Sequence, residues 1–197
     1  MQVVFHSRIS CEEQSFDFDA VADGICKKLI LRHPHVFGNI AVESSEEVLK
    51  NWDEIKKKEK GQTTASDTLK SVPKVFPALM RSQKVQKRAA KTGFDYTDAE
   101  MAFGDLKSEV AELEDAMCRA NAEDCFEELG DLLFSVVNVA RMLKIDAEDS
   151  LTASCEKFIR RFEKVEDMAS QGGIDMSTAS LERLNELWRE AKMAQSN

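Results

Sequence analysis

The chain has 197 residues, of which 43% are hydrophobic and 32% charged, and its formal net charge is −9 at pH 7. This composition is that of an ordinary globular protein and excludes a disordered one, and the negative charge argues against nucleic acid as the main partner. No apolar stretch approaches the roughly 18 residues needed to span a bilayer, and the first ten residues lack a secretion-signal pattern. We therefore expect no membrane contact. The five cysteines are odd in number and contain no C-x-x-C pair, so we expect free thiols and a cytoplasmic location.

With only 8 Gly and 3 Pro, the chain favours long helices over strands and tight turns. Helices are predicted in the first half near 1–13, 17–33 and 44–59. A polar stretch at 61–66 then interrupts the pattern and predicts a boundary between two structural units. The predicted organisation is an N-terminal half-domain at 1–62, a linker at 63–76 and a catalytic domain at 77–197.

Apolar residues recur every three to four positions throughout the second half, which is the period of an amphipathic helix. Five further helices are predicted, at 77–91, 98–121, 122–143, 146–168 and 177–193. No segment offers the period of two that a half-buried strand requires. The sequence therefore predicts an all-α fold.

An internal repeat links the two halves of the chain. Three pairs of segments match in the same order: VVFHSR at 3–8 with VVNVAR at 136–141, Lys28 and Arg32 with Lys157 and Arg161, and Trp52 and Lys56 with Trp188 and Lys192. The first copy begins where the second is already halfway through its third helix, so residues 77–135 have no counterpart upstream. We therefore expect the N-terminal half-domain to be an incomplete copy.

Two acidic pairs mark the predicted helices at 98–121 and 122–143. Glu109 and Glu112 form one pair and Glu128 and Asp131 the other, and i, i+3 spacing places both members of a pair on one helical face. Glu109 and Glu128 fall within the apolar arcs of their helices, where a charge must be paired or bind a metal. If the helices form an antiparallel hairpin, four carboxylates converge into an oxygen-rich site suited to Mg²⁺ or Mn²⁺.

An alternative interpretation of these pairs is that they lie on solvated helix faces, since the chain carries 36 acidic residues. Their occurrence on two consecutive apolar-striped helices favours a site. Gly130, within the second pair, adds to this, because a glycine inside a helix costs about 1 kcal/mol relative to alanine and indicates close helix approach or room for a ligand.

Basic and aromatic residues near the end of the chain could complete a phosphate site. Lys157 and Arg161 lie one turn apart on one predicted helix, and Trp188 and Lys192 lie on the last. The alternative for the cations is a solvated surface, which the recurrence of the same spacing at Lys28 disfavours. For Trp188, core packing and stacking on a nucleobase both remain open.

These segments together resemble the MazG family. The blocks that carry the resemblance are VPKVFPALMRSQKVQKRAAKTGFDY, DLKSEVAELED, EELGDLLFSVVNVARML, EKFIRRFEKVE and LWREAK. In the first half, FDAVADGICKKLILRHPHVFG and NWDEIKKKEKG resemble the tail of the family's N-terminal domain. The resemblance covers nearly the whole chain.

The resemblance implies a MazG-like helical bundle related to all-α nucleoside triphosphate pyrophosphatases such as dimeric dUTPases, with a four-helix core completed in a homodimer. It implies hydrolysis of nucleoside triphosphates or deoxynucleoside triphosphates to monophosphate and pyrophosphate with Mg²⁺, in nucleotide-pool house-cleaning. The implied metal ligands are Glu109, Glu112, Glu128 and Asp131. With this ligand set, a carboxylate that is not fully engaged with metal would accept the proton of the attacking water, and Glu112 or Glu109 is the expected base. The implied substrate-binding residues are Asn138, Lys157, Arg161, Trp188 and Lys192.

The chain departs from the family pattern in two places. Tyr96 follows the GFD block where the family commonly has tryptophan, and aromatic character is retained. The N-terminal half-domain lacks the acidic set that two-domain members carry there, so it is expected to be unable to hold its own metal. The alternative function is therefore a truncated, catalytically weak helical module for oligomerisation or interaction. The choice of base and sugar depends on pocket shape, which these helical patterns do not define.

Overall fold

The computed structural model of the chain describes residues 1–39, 42 and 44–194. These residues form ten helices and no strand, which confirms the all-α prediction. Among them, no helix combines the length and the apolarity needed to cross a bilayer. The chain divides into two compact units, Met1–Ser71 and Val72–Asn197, called here the N-terminal and C-terminal units. The last three residues of the predicted catalytic domain, 195–197, lie outside the described residues, as do 40, 41 and 43.

The N-terminal unit consists of five helices. They are α1 (Gln2–Glu12), α2 (Phe18–Arg32), α3 (Pro34–Phe37), α4 (Ser45–Glu59) and α5 (Ala65–Lys70). Side chains define three of the starts: Asp17 accepts from the Ala20 N–H at 2.8 Å, Ser44 caps α4, and Thr64 forms a capping box at α5. Helix α2 packs against both α1 and α4. The segment predicted as a linker, 63–76, thus contains α5, which belongs to the N-terminal unit.

The C-terminal unit also consists of five helices. They are α6 (Ala78–Ala90), α7 (Ala99–Arg119), α8 (Ala122–Met142), α9 (Ala147–Gln171) and α10 (Leu181–Met193). Short polar side chains at the N-caps satisfy the free N–H groups of the first turns: Asp98, Asn121, Asp146 and Ser180. The predicted helices coincide with these, and the largest differences are at the end of α9 and the start of α10.

Helices α7 and α8 form a tight antiparallel hairpin, the most extensive helix pair of the unit. Ala120 ends α7 in the left-handed conformation, with φ 53°, and its N–H donates to the Met117 carbonyl at 3.1 Å. Asn121 then caps α8 by accepting the Glu123 N–H at 3.0 Å. Two residues therefore reverse the chain, and the register of α8 against α7 is fixed at this turn.

Two buried glutamines attach α6 to its neighbours. Gln86 donates from Nε2 to the Phe134 carbonyl of α8 at 2.8 Å, and Gln83 donates to the Ile145 carbonyl at 3.1 Å. Hydrogen bonds to buried backbone carbonyls are specific because an unpaired buried amide is costly. Helix α6 is thereby held against α8 and against the segment that joins α8 to α9.

The buried core of the C-terminal unit is made mostly of small residues. Ala102, Ala116 and Val137 are almost fully buried in the hairpin. A second cluster joins α9 and α10 through Val165, Ala169, Leu187 and Ala191, with Met168, Ile174, Met176 and Trp188 packed against it. Small residues allow helices to approach closely but bury little apolar surface.

Broad apolar stripes of the hairpin and α9 remain exposed in the single chain. They comprise Phe103, Val110 and Met117 on α7, Phe126, Leu129, Leu133 and Val136 on α8, and Leu151, Phe158 and Phe162 on α9. Phe126 is 82% exposed, although aromatic side chains of this size are usually buried. Stripes of this extent are typical of surfaces that bind a partner.

The two units share the order of helices that the internal repeat predicts. The matched segments lie on α1, α2 and α4 in the N-terminal unit and on α8, α9 and α10 in the C-terminal unit. Lys28 and Arg32 occupy the end of α2, and Lys157 and Arg161 lie within α9. The repeat is therefore a repeat of structure as well as of sequence.

Candidate metal and substrate site

Three carboxylates converge on the α7–α8 hairpin. Glu109 and Glu112 from α7 and Glu128 from α8 each offer an oxygen, and these oxygens lie within 4.8 Å of one another. Glu109 and Glu128 are half-buried and Glu112 is exposed at the rim. An all-oxygen donor set of this kind suits Mg²⁺ or Mn²⁺, and the predicted convergence of the two acidic pairs is found for these three residues.

Asp131 lies beside this cluster without joining it. Its side chain is exposed, and its negative charge nevertheless acts on both Glu109 and Glu128. The four carboxylates are arranged symmetrically about the turn: Glu112 and Glu128 are equally distant in sequence from Ala120, and so are Glu109 and Asp131.

Two carboxylates of the cluster, Glu109 and Glu128, bind protons more tightly than free glutamate side chains. Partial burial, followed by the charges of Glu112 and Asp131, raises the pKa of Glu109 above its ordinary value. The same causes in the same order raise the pKa of Glu128. Like charges held this close together are unfavourable without a counter-ion, so the electrostatics of the cluster fit a divalent cation.

A buried arginine links the loop before α7 to α8. Arg141, whose side chain is 9% exposed, pairs with Asp95 and donates from Nη1 to the Asp95 Oδ2 at 3.0 Å. It also donates to the Asn138 Oδ1, from Nε at 3.1 Å and from Nη2 at 2.7 Å. The hydrogen bond from Arg141 is the main cause that lowers the pKa of Asp95. Asn138, predicted to bind substrate, is thus held in place by Arg141.

Tyr96 connects this arginine network to the acidic cluster. Its hydroxyl donates to the Asp105 Oδ2 at 2.6 Å, and the same oxygen accepts from the Ser135 hydroxyl at 3.3 Å. Burial, then the hydrogen bond and the charge of Asp105, then the charge of Glu109, raise the pKa of Tyr96 to about 12. The phenol therefore stays protonated at neutral pH as a donor close to the carboxylates.

Comparison with known proteins decides the family. The family model of the MazG nucleotide pyrophosphohydrolase domain matches residues 1–37 and 99–166, one stretch in each unit. The chain belongs to the MazG family. The acidic pairs and the α7–α8 hairpin lie within the second matched stretch, and the resemblance predicted from the sequence is confirmed.

Three known proteins are similar to almost the whole chain. The nucleoside triphosphate pyrophosphohydrolase of Escherichia coli (strain K12) is 40% identical over 193 residues, which are 97% of this chain and 73% of that protein. The nucleoside triphosphate pyrophosphohydrolase/pyrophosphatase MazG of Thermotoga maritima is 37% identical over 98% of this chain and 72% of its own length. The Bacillus subtilis protein YabN is 42% identical over 98% of this chain and 39% of its own length.

The remaining predicted residues of this MazG chain lie on α9 and α10. Lys157 and Lys192 are exposed, Arg161 is half-buried, and the Trp188 ring lies 4.9 Å from the Phe158 ring between centroids. Trp188 also packs against the buried α9–α10 cluster, so its core-packing interpretation is confirmed, and base stacking stays a prediction. The charges that shift Glu109 and Glu128 within the described residues come from α7 and α8, and neither Lys157 nor Arg161 is among them.

The sequence did not predict the residues that form the hydrogen bonds and the ion pair beside the acidic cluster. These residues are Asp95, Asp105, Ser135 and Arg141. Tyr96 belongs to the same network, although the sequence marked it only as a departure from the family's usual tryptophan. Arg141 was visible as the last residue of the VVNVAR repeat segment, and Asp95 as part of the GFD block. Neither pattern indicated that the two residues form a pair.

The space beside Gly130 in α8 is not filled by other residues of the described chain. A Cβ atom built at this position would meet no atom within 4 Å among the described residues, and the same is true of Gly104 in α7. Close helix approach is therefore not the reason for Gly130 in the single chain. Room for a ligand is the part of the prediction that remains.

Proposed function

We propose that the chain hydrolyses nucleoside triphosphates and deoxynucleoside triphosphates to monophosphate and pyrophosphate, using Mg²⁺ or Mn²⁺ bound by Glu109, Glu112, Glu128 and Asp131. Hydrolysis of nucleoside triphosphates follows from membership of the MazG family, whose similar members are nucleoside triphosphate pyrophosphohydrolases over the same length. The observation that supports the metal is the convergence of three carboxylate oxygens within 4.8 Å.

A divalent cation bound here would neutralise negative charge on the triphosphate and would lower the pKa of a coordinated water. The protein contributes the base, and Glu109 is the residue that we assign to it. Its pKa is raised, which makes its carboxylate a better proton acceptor, and it is the carboxylate of the acidic cluster whose charge acts on Tyr96. Glu112 is the alternative base, although the Ser108 hydroxyl already donates to its Oε1 at 3.1 Å.

The cations of α9 and α10 are proposed to bind the phosphates. Lys157 and Lys192 are exposed and Arg161 is half-buried, and the positive charges of these three side chains are suited to the phosphates of the substrate. Arg141 donates to the Asn138 Oδ1, and Asn138 also hydrogen-bonds the Tyr96 side chain, so we assign to Asn138 the positioning of substrate beside this network. In this proposal, α8 to α10 bind the substrate, and α7 and α8 carry the chemistry.

A second copy of the chain is proposed to cover the exposed apolar stripes. The stripes of α7 and α8 flank the acidic hairpin, and pairing two hairpins would give a four-helix core. Such a dimer would also enclose the carboxylates and reduce their contact with water. The net charge of −9 and five free cysteines support a cytoplasmic protein whose partners are nucleotides and a second copy of itself, and not nucleic acid.

The decisive experiment measures pyrophosphate release from a panel of nucleoside and deoxynucleoside triphosphates, with Mg²⁺ and with EDTA. We expect metal-dependent release, with monophosphate as the second product, and loss of release in Glu128→Ala. Glu114→Ala is the matched control, since Glu114 is an exposed acid of α7 that belongs to no cluster among the described residues. Full release by Glu128→Ala would refute the metal site. A folded wild-type protein that releases no pyrophosphate would instead favour the interaction module.

A further inference from the structure

The N-terminal unit contains a cavity of its own. It has a volume of about 380 Å³, within the size range of small-molecule sites, and opens between α2 and α4. Trp52 and Leu29 form part of its wall, and Lys28, Arg32 and His33 supply three basic groups. Among the described residues, those that line it include no acidic side chain.

The two repeats differ at a position that lines the cavity. In the C-terminal unit, Phe158 follows Lys157 and its ring lies against Trp188, with 4.9 Å between centroids. The matching position after Lys28 is Leu29, which is smaller and leaves the space beside Trp52 unfilled. The N-terminal unit therefore keeps the aromatic wall of the repeat and has room where the C-terminal unit has a phenyl ring.

Cations are concentrated around Trp52. The Arg32 guanidinium carbon lies 5.5 Å from the centroid of the ring, and the Lys56 Nζ lies 4.5 Å from it. An ion pair with Glu59, at 2.7 Å, holds Arg32 in this position with its side chain 11% exposed. Lys28 is exposed at the edge of the cavity. An apolar cavity bordered by cations suits an anion with a flat apolar body.

We propose that this cavity binds a nucleotide without a metal and without hydrolysing it, with the base against Trp52 and Leu29 and the phosphates at Lys28. The choice of a nucleotide over other anions of this shape rests on the proposed function, in which the matching residues of α9 and α10 bind the substrate. Binding without hydrolysis follows from the carboxylates: among the described residues, the one group of three that converges is on α7 and α8. The N-terminal unit is thus a second, non-catalytic nucleotide site.

The two tryptophans make the site directly observable. Trp188→Phe leaves Trp52 as the one remaining tryptophan of the chain, so its emission reports on this cavity. The probe is ATP in EDTA, with excitation at the red edge of tryptophan absorption, where adenine does not absorb. We expect a saturable change in emission, because this site needs no metal.

Three further variants in the Trp188→Phe chain locate the binding. Lys28→Ala should weaken the apparent affinity about tenfold, the effect of removing one charged hydrogen-bond donor. Leu29→Phe should abolish the change by restoring the aromatic side chain of the other repeat. Lys27→Ala should match its parent, since Lys27 is exposed and pairs with Asp23 at 2.7 Å outside the cavity. Circular dichroism checks that each variant stays folded.

The outcomes separate this site from the catalytic one. No saturable change, or a change that survives both Lys28→Ala and Leu29→Phe, refutes the second site, whatever the pyrophosphate assay gives. Inorganic triphosphate that saturates at the same concentration as ATP also refutes it as a nucleotide site. A response of Trp52 in a protein that releases no pyrophosphate would leave the second site standing and overturn the proposed function alone.

Discussion

The sharpest test of the acidic cluster is a single amide substitution, Glu109→Gln. Coulomb's law in water gives about 0.9 kcal/mol for two unit charges at the 4.8 Å limit, and physiological salt roughly halves it. Glu109 has two such neighbours within the cluster, so we expect the variant to gain about 1 kcal/mol of unfolding free energy in EDTA at pH 7. For a chain of this length that corresponds to a rise of about 3 °C in Tm.

The gain must depend on pH in a defined direction. Because the folded-state pKa of Glu109 is raised, its contribution to stability is complete below the ordinary value of 4.5 and is lost as pH rises through the folded value. Glu109→Gln should therefore be no more stable than the wild type below that pH. Its advantage should appear as the pH increases toward neutrality.

Mg²⁺ should reverse the order of the melting temperatures of the wild type and Glu109→Gln. A Mg²⁺ concentration ten times the dissociation constant stabilises a binding protein by about 1.4 kcal/mol, so the wild-type Tm should rise by about 4 °C. Glu109→Gln has lost a ligand and should not respond. Thermal unfolding followed by circular dichroism, in EDTA and in Mg²⁺, shows whether the order changes.

Glu114→Gln is the control for this experiment, since it removes one charge from an exposed position of the same helix. It should behave as the wild type in both conditions. A Glu109→Gln protein that is less stable than the wild type in EDTA would contradict the electrostatic argument. Equal Mg²⁺ responses of the two proteins would contradict the metal site.

Three further expectations concern the surroundings of the site. Tyr96 is the single tyrosine, so ultraviolet titration of the phenolate should give a midpoint of about 12. Asp105→Asn should lower this midpoint toward 10.0, and an unchanged midpoint would refute the hydrogen bond between Tyr96 and Asp105. Gly130→Ala should raise Tm, because a Cβ at this position meets no described atom within 4 Å and alanine favours a helix by about 1 kcal/mol relative to glycine. A fall in Tm would show that the position is crowded. Leu133→Lys should halve the molar mass measured by light scattering if a second copy covers α8, and a wild-type monomer would refute the dimer.

The helices could be predicted well because their signals are local. Period and N-cap residues define most starts, and Asp98 and Asp146 lie where the sequence predicts a helix to begin. Helix α10 starts later than expected because Asp175 accepts from the Ser177 N–H at 3.0 Å and from its hydroxyl at 2.7 Å, which forms a turn in place of the first helical residues. Helix α5 was missed because six residues in a polar segment give too short a pattern.

The site divides in the same way into local and long-range features. The spacing of Glu109 and Glu112 is set by one helix, so their shared face could be predicted from the sequence. The pair of Arg141 with Asp95 joins residues 46 positions apart, and nothing in either segment specifies the partner. Its existence depends on how the loop before α7 folds over α8. Supporting networks of this kind need the structure, whereas the carboxylates that they surround do not.

The two-residue turn at Ala120 has a consequence for how related chains can differ in length. One inserted residue there would rotate α8 by about 100° and displace it by about 1.5 Å along its axis relative to α7. Glu128 would then face away from Glu109 and Glu112 while every helix remained intact. Insertions and deletions should therefore be tolerated at Gly172 and Gly173, where a loop joins α9 to α10, and be incompatible with catalysis at the turn. The length of this turn is as much a part of the site as the carboxylates themselves.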